Sequence, residues 1–313
     1  MVLVENWMPP SRENWETIVW LFQFFPLVTI LQWVQPWYGA GKTSSNSRFN
    51  IPGKIAWITM ETPGMLTMLY IMYTLPAQVG MAQIPWENKL MAGLYVSLSR
   101  AVGHYVYRAV LGPLITPSLS PIHPIVWLAA MAFQITNATS LAGYFGGYGP
   151  VTREDWYCSP PILSKPKTGN PYVNGARIEL GLMLFFLGFL GNMYHDDELR
   201  EIRRSAMRRQ AKEAEEADPS TGKKKGKANV DKVYMIPQNG LFNFILYPHY
   251  FCEWIEWAGY FIMAGPDCVP ARTFLLNEVA TMLPRAVQGK AWYVKKFGKE
   301  KVGNKKAVLP GIW

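Results

Sequence analysis

An all-α integral membrane protein is the fold class that the sequence predicts, and three observations predict it. Half of the 313 residues are hydrophobic. Only 17% are charged, whereas about 25% is usual for a soluble domain. Seven apolar stretches approach the length of roughly 20 residues that a membrane helix needs. They lie near 15–34, 53–76, 89–115, 122–145, 176–194, 239–264 and 269–290. We therefore expect one seven-helix bundle that spans residues 1–313 as a single domain.

The first stretch is predicted to be a retained helix. It follows the acidic segments VENW and RENWE. It lacks the basic start and the small-residue cleavage site of a secretory signal peptide. The N-terminus of the bundle therefore carries its own membrane helix.

The second stretch carries a carboxylic acid where lipid is expected. Glu61 stands in AWITMETPG, where Pro63 removes one helix N–H group. Ionisable side chains inside a membrane are costly, and they normally face a bundle interior or a wet cavity. Two interpretations stay open for Glu61. It is either a hydrogen-bonding residue between helices or an acid that donates a proton inside an apolar cavity.

The third stretch carries HYVYR, in which Tyr105 and Arg108 share a helix face. A buried phenol normally finds a hydrogen-bond partner, and Glu61 is available. A Tyr–Glu pair can polarise a carbonyl oxygen by donating two hydrogen bonds, as an oxyanion site does. For His104 we favour a plain helix–helix hydrogen bond.

The fifth stretch continues into a charged helical stripe. Asn192, Asp196 and Arg200 recur at i, i+4 and i+8, and Arg203 follows three residues later, so all four project from one face. Asn and Asp can bind ribose hydroxyls, and Arg forks can bind phosphates. The alternative is a set of ion pairs within the helix.

The last two stretches add further polar groups. His249, Glu253 and Glu256 follow at helical spacing, and Arg285 and Tyr293 share a face at i and i+8. His and carboxylate side chains also suggest a metal site, but too few candidates are present, so we predict no metal ion. The polar groups predict a binding site at one end of the bundle.

Basic residues predict the topology. Of the net charge of +9, a large part lies between 200 and 232, including a low-complexity insert at about 205–230, and in the C-terminal tail. Cytoplasmic loops carry such an excess, so we expect a cytosolic C-terminus and, with seven spans, a lumenal N-terminus. Nucleic acid is the other partner that basic runs indicate, and we predict none here.

Six pieces of the chain, in this order, carry a resemblance to a known family. They are AWITMETP, HYVYR, GNMYHDDELREIR, YMIPQNGLF, PHYFCEWIEWAGY and the tail from RAVQGKAWYVKKF to KKAVLPGIW. The chain resembles the steroid 5α-reductase (3-oxo-5α-steroid 4-dehydrogenase) family from about residue 54 to the C-terminus. The resemblance implies a multi-pass enzyme of the endoplasmic reticulum that reduces a conjugated C=C bond with NADPH. Its loops on the cytosolic side close over the cofactor.

The resemblance also implies roles for residues. Glu61 and Tyr105 match the catalytic pair that binds the substrate ketone, and Trp57 matches an aromatic residue that lines the substrate cavity. Arg108 is also assigned to substrate binding. Residues 176–313 form the NADPH-binding half, and the N-terminal half is the substrate side. Cofactor contacts are assigned to Asn192, Asp196, Arg200, Arg203, Tyr234, His249, Glu253, Arg285 and Tyr293. An apolar substrate is expected to enter from the bilayer of a monomeric, lipid-embedded protein.

Three positions depart from the family pattern. Met60 replaces a common Gln, Met235 stands where an Arg often follows the Tyr, and Gly289 stands where a His is usual. These departures leave a sister reductase of polyprenals or trans-2-enoyl-CoA lipids as an alternative. A membrane lipid methyltransferase and a non-enzymatic transporter are the remaining alternatives.

Overall fold

The protein is a bundle of helices. A computed structural model describes residues 2–35, 41, 47–96, 104–158, 171–216 and 234–312. The α-helices of these parts, in chain order, are α1 Arg12–Phe22, α2 Phe25–Thr29, α3 Leu31–Val34, α4 Gly53–Gln78, α5 Trp86–Val96, α6 Gly112–Ile115, α7 Pro124–Gly143, α8 Arg153–Cys158, α9 Pro171–Glu216, α10 Pro248–Ala264, α11 Val269–Phe297 and α12 Lys299–Val302. Shorter turns are the π-helical Val106–Leu111 and Tyr144–Tyr148 and the 3₁₀ turn Gly240–Asn243.

Three helical stretches in the described ranges are long and apolar enough to cross a membrane. They are Arg12–Val34, Pro124–Tyr148 and Gly175–Arg209. They coincide with the first, fourth and fifth predicted spans, and they agree with a helical membrane protein. The count of seven spans stays a prediction.

The predicted start of the sixth helix at residue 239 is wrong. The chain there forms the short 3₁₀ turn Gly240–Asn243, and its first residue, Gly240, has a φ of 57°. The helix begins at Pro248, because proline has no N–H group to lose at the first helical position and its φ already suits a helix. The polar residues before Pro248 therefore lie in a loop.

Two other helices run further than the apolar pattern predicts. α9 continues past 194 to Glu216, because residues 192–216 contain strong helix formers and no Gly or Pro. It thus includes the first part of the basic insert, of which 217–230 falls outside the described residues. α11 continues past 290 to Phe297 and ends at Gly298, where φ is 89° and the N–H group donates to the Val294 carbonyl at 2.9 Å.

Glycines bring α9 and α10 into close contact. A Cβ atom on Gly188 would lie 2.3 Å from the Glu256 backbone nitrogen, and one on Gly181 would lie 2.7 Å from the Gly259 carbonyl oxygen. Small residues allow helix backbones to approach in this way inside membranes. The contact places Asn192 of α9 beside Glu253 of α10.

A similar contact joins α4 and α7. A Cβ atom on Gly64 would lie 3.1 Å from Gln134 Oε1. The absent side chain leaves room for Gln134 to lie against α4, one turn from Glu61. Aromatic rings from α5, α10 and α11 fill the adjacent core, where Trp257 and Phe274 have ring centroids 4.3 Å apart.

Candidate active site

A glutamine joins the two residues that were predicted to polarise a carbonyl. The Tyr105 hydroxyl donates to Gln134 Oε1 at 2.7 Å. Gln134 Nε2 donates to Glu61 Oε2 at 2.5 Å. All three side chains are buried, with Glu61 at 8% and Tyr105 at 2% exposure. The expected direct Tyr105–Glu61 contact is thus replaced by a bridge through a residue of α7, and we call these three residues the polarising trio.

Arg108 lies near two acidic residues on two other helices. Its Nη1 atom lies 3.4 Å from Glu253 Oε2 and 3.9 Å from Asp196 Oδ2. Asn192 Nδ2 donates to the same Glu253 oxygen at 3.1 Å and to the His249 carbonyl at 3.0 Å. Asn192 therefore orients Glu253 and the start of α10.

Trp57 lies against the same arginine. Its Nε1 group donates to the Arg108 carbonyl at 3.1 Å, and the Arg108 guanidinium lies 5.5 Å from the centroid of its ring. A guanidinium over an indole face is a favourable cation–π contact. The contact connects α4, which carries Glu61, to the arginine of the neighbouring segment.

Arg200 and Arg203 hold the segment between α5 and α7. Arg200 Nη1 donates to the Tyr107 hydroxyl at 2.6 Å, and its Nε donates to Thr116 Oγ1 at 3.0 Å. Arg203 Nη1 donates to the Ser118 carbonyl at 3.0 Å. An ion pair within α9 is also present, because Arg200 Nη2 lies 3.7 Å from Asp196 Oδ2. The ion-pair alternative for the charged stripe therefore has a geometric basis beside the phosphate interpretation.

These elements surround a cavity of about 640 Å³. Among the predicted site residues, its lining includes Trp57, Arg108, Asp196, Arg200, Arg203, Tyr234, His249, Arg285 and Tyr293. Glu61, Tyr105, Asn192 and Glu253 are absent from the lining. Both groups adjoin lining residues, because Glu61 is one helical turn from Trp57 on α4 and Glu253 lies 3.4 Å from Arg108.

The charged residues of the lining are mainly basic. Arg108, Arg200, Arg203 and Arg285 outnumber the acid Asp196. Tyr293 adds a phenol beyond the predicted end of the last span. Burial raises the pKa of Tyr293 to about 12, so its hydroxyl remains a donor at neutral pH. The cavity therefore suits a ligand with several negative charges.

Two of the departures from the family pattern also line this cavity. A Cβ atom on Gly289 would lie 1.7 Å from the Tyr247 hydroxyl oxygen. The Tyr247 ring fills the space that a side chain at 289 would need. Met235 lines the cavity beside Tyr234.

Sequence reasoning missed two residues of this region. Gln134 is the single polar residue of the apolar run WLAAMAFQI, and the cost of burying an amide was the available signal. Glu278, in the middle of α11, lies within electrostatic reach of Glu253, Arg108 and Glu61. Like Glu61, it is a carboxylic acid in an apolar stretch.

Comparisons with known proteins identify the family of this chain. The family model described as 3-oxo-5-alpha-steroid 4-dehydrogenase matches residues 220–313. An uncharacterized protein of Schizosaccharomyces pombe is 33% identical over 281 residues, 84% of this chain and 86% of that protein. The chain belongs to the steroid 5α-reductase family. The resemblance seen in the sequence motifs is confirmed.

Two further relatives carry steroid names. A steroid 5-alpha-reductase of Solanum lycopersicum is 26% identical over 298 residues, 94% of each chain. A 3-oxo-5-alpha-steroid 4-dehydrogenase 1 of Rattus norvegicus is 25% identical over 247 residues, 79% of this chain and 75% of that one. From these relatives and the three long apolar helices, we infer that this member of the steroid 5α-reductase family is a membrane protein.

Proposed function

We propose that this steroid 5α-reductase family member is an oxidoreductase that reduces a conjugated C=C bond in an apolar ketone, with NADPH as the reductant. The relatives named for 3-oxo-5-alpha-steroids favour a 3-oxo-Δ4-steroid-like substrate. One observation carries the proposal. The buried Tyr105 phenol and the buried Glu61 carboxyl group are both hydrogen-bonded to the Gln134 amide, next to a cavity whose charged lining residues are mainly basic.

The cavity residues fit a phosphorylated dinucleotide. The volume of the cavity, about 640 Å³, is in the range of small-molecule and cofactor sites. Arg200, Arg203 and Arg285 supply positive charge for phosphates, and Asp196 supplies an acceptor for ribose hydroxyls. When it is bound, NADPH supplies the hydride that reduces the β-carbon.

The polarising trio prepares the substrate for that reduction. Tyr105 and Glu61, the latter in its protonated form, donate hydrogen bonds to the substrate carbonyl oxygen. This withdraws electron density from the β-carbon and stabilises the enolate oxygen that forms. Gln134 keeps Tyr105 and Glu61 apart and oriented until the substrate carbonyl oxygen replaces the Gln134 amide as their hydrogen-bond partner. The α-carbon then takes a proton, which completes the saturated ketone.

The remaining groups position the reactants. Trp57 and Arg108 line the cavity and contact each other, and we assign them to the substrate side. We assign Glu253, which Asn192 and Arg108 hold, to orienting the reactive end of the cofactor. His249, Tyr234 and Tyr293 complete the cofactor site.

The family relation and the basic loops support the wider arrangement. We propose a single seven-span domain in the endoplasmic reticulum membrane, with the N-terminus in the lumen and the C-terminus in the cytosol. NADPH enters from the cytosol and is enclosed by cytosolic loops, and the substrate enters a lipid-surrounded monomer from the bilayer. Polyprenals and trans-2-enoyl-CoA lipids remain the substrates of the alternative reductase.

The test is a substrate panel with two variants. Purified protein in nanodiscs is supplied with NADPH and with steroid enones, polyprenals or enoyl-CoAs, and product is measured by mass spectrometry. We expect NADPH-dependent reduction of an enone. Removal of one oxyanion donor typically costs about 10²–10³ in rate. Tyr105→Phe and Glu61→Gln should therefore nearly abolish turnover while NADPH still binds. Wild-type turnover by Glu61→Gln would refute the assigned roles.

A further inference from the structure

His195 is a buried residue of α9 to which the proposed function gives no role. Its Nδ1 atom lies 2.6 Å from the Gly191 carbonyl oxygen, one turn earlier in the same helix. Its Nε2 atom accepts a hydrogen bond from the Leu241 backbone N–H group at 3.1 Å. A neutral imidazole donates through one ring nitrogen and accepts through the other. The two contacts therefore require the tautomer that carries its proton on Nδ1.

The bond that His195 accepts comes from the loop before α10, residues 239–247, which we call the cavity loop. Leu241 lies in the 3₁₀ turn of this loop, and its carbonyl accepts from the Ile245 N–H group at 3.0 Å. The next two residues, Leu246 and Tyr247, line the 640 Å³ cavity. The residue that His195 binds is thus bonded directly to the segment that forms part of the cavity wall.

The neighbours of Leu241 fit the cavity loop onto the imidazole. The Phe242 ring is fully buried and packs edge-on against the His195 ring, with centroids 5.4 Å apart. Gly240 has a φ of 57°, and a Cβ atom there would lie 3.0 Å from His195 Nε2 and 2.8 Å from Tyr194 Cε1. A side chain at 240 would therefore push the Leu241 N–H group away from its acceptor.

The opposite side of the cavity loop is held by the C-terminal tail. The N–H groups of Leu246 and Tyr247 donate to the carbonyls of Lys306 and Ala307, both at 2.9 Å. These bonds do not involve His195. A variant without the imidazole should therefore fold, with the loop still attached to the tail.

One other hydrogen bond joins the cavity loop to α9. Asn239 Nδ2 donates to Glu198 Oε2 at 2.6 Å, at the exposed surface. A hydrogen bond that water can replace contributes little net free energy, whereas a buried group left without a partner costs more. The buried bond at His195 is therefore the contact with α9 that fixes the loop.

We propose that His195 is a positioning residue for the cofactor, which acts by holding the cavity loop against α9. This inference rests on the proposed function, in which NADPH occupies the cavity. Without the acceptor at Nε2, the loop is in place for only a fraction of the time. The apparent Kd for NADPH then rises in inverse proportion to that fraction. Once NADPH is bound, the loop is in place again and the hydride step is unchanged.

The test uses two variants that separate the two nitrogens of the ring. In the full-length protein in nanodiscs, the Kd for NADPH is measured, together with kcat at saturating NADPH. His195→Asn keeps a donor for the Gly191 carbonyl and loses the acceptor at Nε2. We expect it to bind NADPH about tenfold more weakly, which corresponds to about 1.4 kcal/mol, with kcat unchanged. His195→Gln places an oxygen acceptor at the position of Nε2 and should restore the wild-type Kd.

A loop variant reaches the same contact from the other side. Gly240→Ala should also raise the Kd for NADPH, because its new Cβ atom meets the imidazole. Combined with His195→Asn it should add little, since substitutions that break one shared contact are not additive. Phe244→Ala is the control, because it removes an exposed side chain of the same loop that does not line the cavity. The control should leave the Kd unchanged.

Hydrogen exchange measures the loop without any ligand. The Leu241 amide should exchange slowly in wild type and in His195→Gln, and faster in His195→Asn. This measurement needs neither NADPH nor turnover, so it separates the inference from the proposed function. If wild type binds no NADPH but shows this exchange pattern, the reductase proposal fails and the anchoring of the cavity loop by His195 stands.

Three results would overturn the role of His195. The first is an unchanged Kd for NADPH in His195→Asn. The second is a His195→Gln variant that binds NADPH as weakly as His195→Asn, because the acceptor at Nε2 would then be irrelevant. The third is a loss of kcat as large as the change in Kd, which would indicate a general loss of structure instead of a positioned loop.

Discussion

Replacement of Gln134 by leucine tests whether the polarising trio depends on its bridge. The amide contacts the Tyr105 hydroxyl at 2.7 Å and Glu61 Oε2 at 2.5 Å, and the side chain is 7% exposed. Leucine has a similar volume and offers neither a donor nor an acceptor. The Glu61 carboxyl group would lose its Gln134 partner, and the Tyr105 hydroxyl would keep only its side-chain contact with Tyr95.

The expected magnitude follows from these two contacts. Each buried polar group without a partner costs about 1–3 kcal/mol, so the loss is about 1–3 kcal/mol where Tyr105 stays bonded to Tyr95 and about 2–6 kcal/mol where it does not. The loss is at the low end if Tyr105 and Glu61 move together and bond directly. Such a movement also displaces both donors from the carbonyl oxygen. A displacement of about 1 Å at a reacting group can cost about 10² in rate.

The assay has a stability arm and a kinetic arm. Gln134→Leu should lower Tm in detergent and reduce kcat about 10²-fold, with little change in the Kd for NADPH, because Gln134 does not line the cavity. Gln134→Glu keeps an acceptor for Tyr105 and, when protonated, a donor for Glu61. We therefore expect it to retain more turnover than the leucine variant. Unchanged Tm and kcat in Gln134→Leu would show that the bridge has no role.

Two further predictions concern a close glycine contact and a buried His–carboxyl pair. Gly289→Ala should weaken NADPH binding, because the new Cβ would lie 1.7 Å from the Tyr247 hydroxyl oxygen. The control Gly175→Ala should leave NADPH binding unchanged, because no atom lies within 4 Å of its new methyl group. Equal Kd values for NADPH in the two variants would contradict this prediction. His104→Leu should lower Tm by more than the double variant His104→Leu/Glu256→Leu, because His104 Nδ1 lies 2.7 Å from the fully buried Glu256 and its loss leaves a buried carboxyl group alone. Equal Tm values for the single and the double variant would show that leaving Glu256 without His104 costs no stability.

The sequence predicted where helices occur better than where they end. Apolar length is a strong signal because lipid leaves the backbone no partner but itself. Helix ends depend on single residues, such as Pro248 and Gly298, whose effect an apolar count does not register. The loop before Pro248 was therefore predicted as helix, although it contributes Leu246 and Tyr247 to the cavity.

The site was predictable where family motifs or helical spacing carried it, and not where it depends on contacts between distant segments. The resemblance brought Glu61 and Tyr105 together as a pair, but it gave no reason to place Gln134 between them. Gln134 is 73 residues from Glu61 and 29 from Tyr105 in the chain. Its place depends on Gly64, which lets α7 approach α4. A lone polar residue in an apolar run thus predicts that a partner exists, but only the packing of two helices says which.

Arg108 shows how the two halves of the site depend on each other. Its carbonyl accepts from Trp57, which we propose for the substrate side, and its guanidinium lies near Glu253 and Asp196, which we propose for the cofactor side. The guanidinium bears a positive charge between two carboxylates, so a ligand phosphate that approaches it competes with Asp196 and Glu253. A bound cofactor can therefore change the position of Arg108, and with it that of Trp57. Through this residue, filling the basic cavity would alter the wall that the substrate meets.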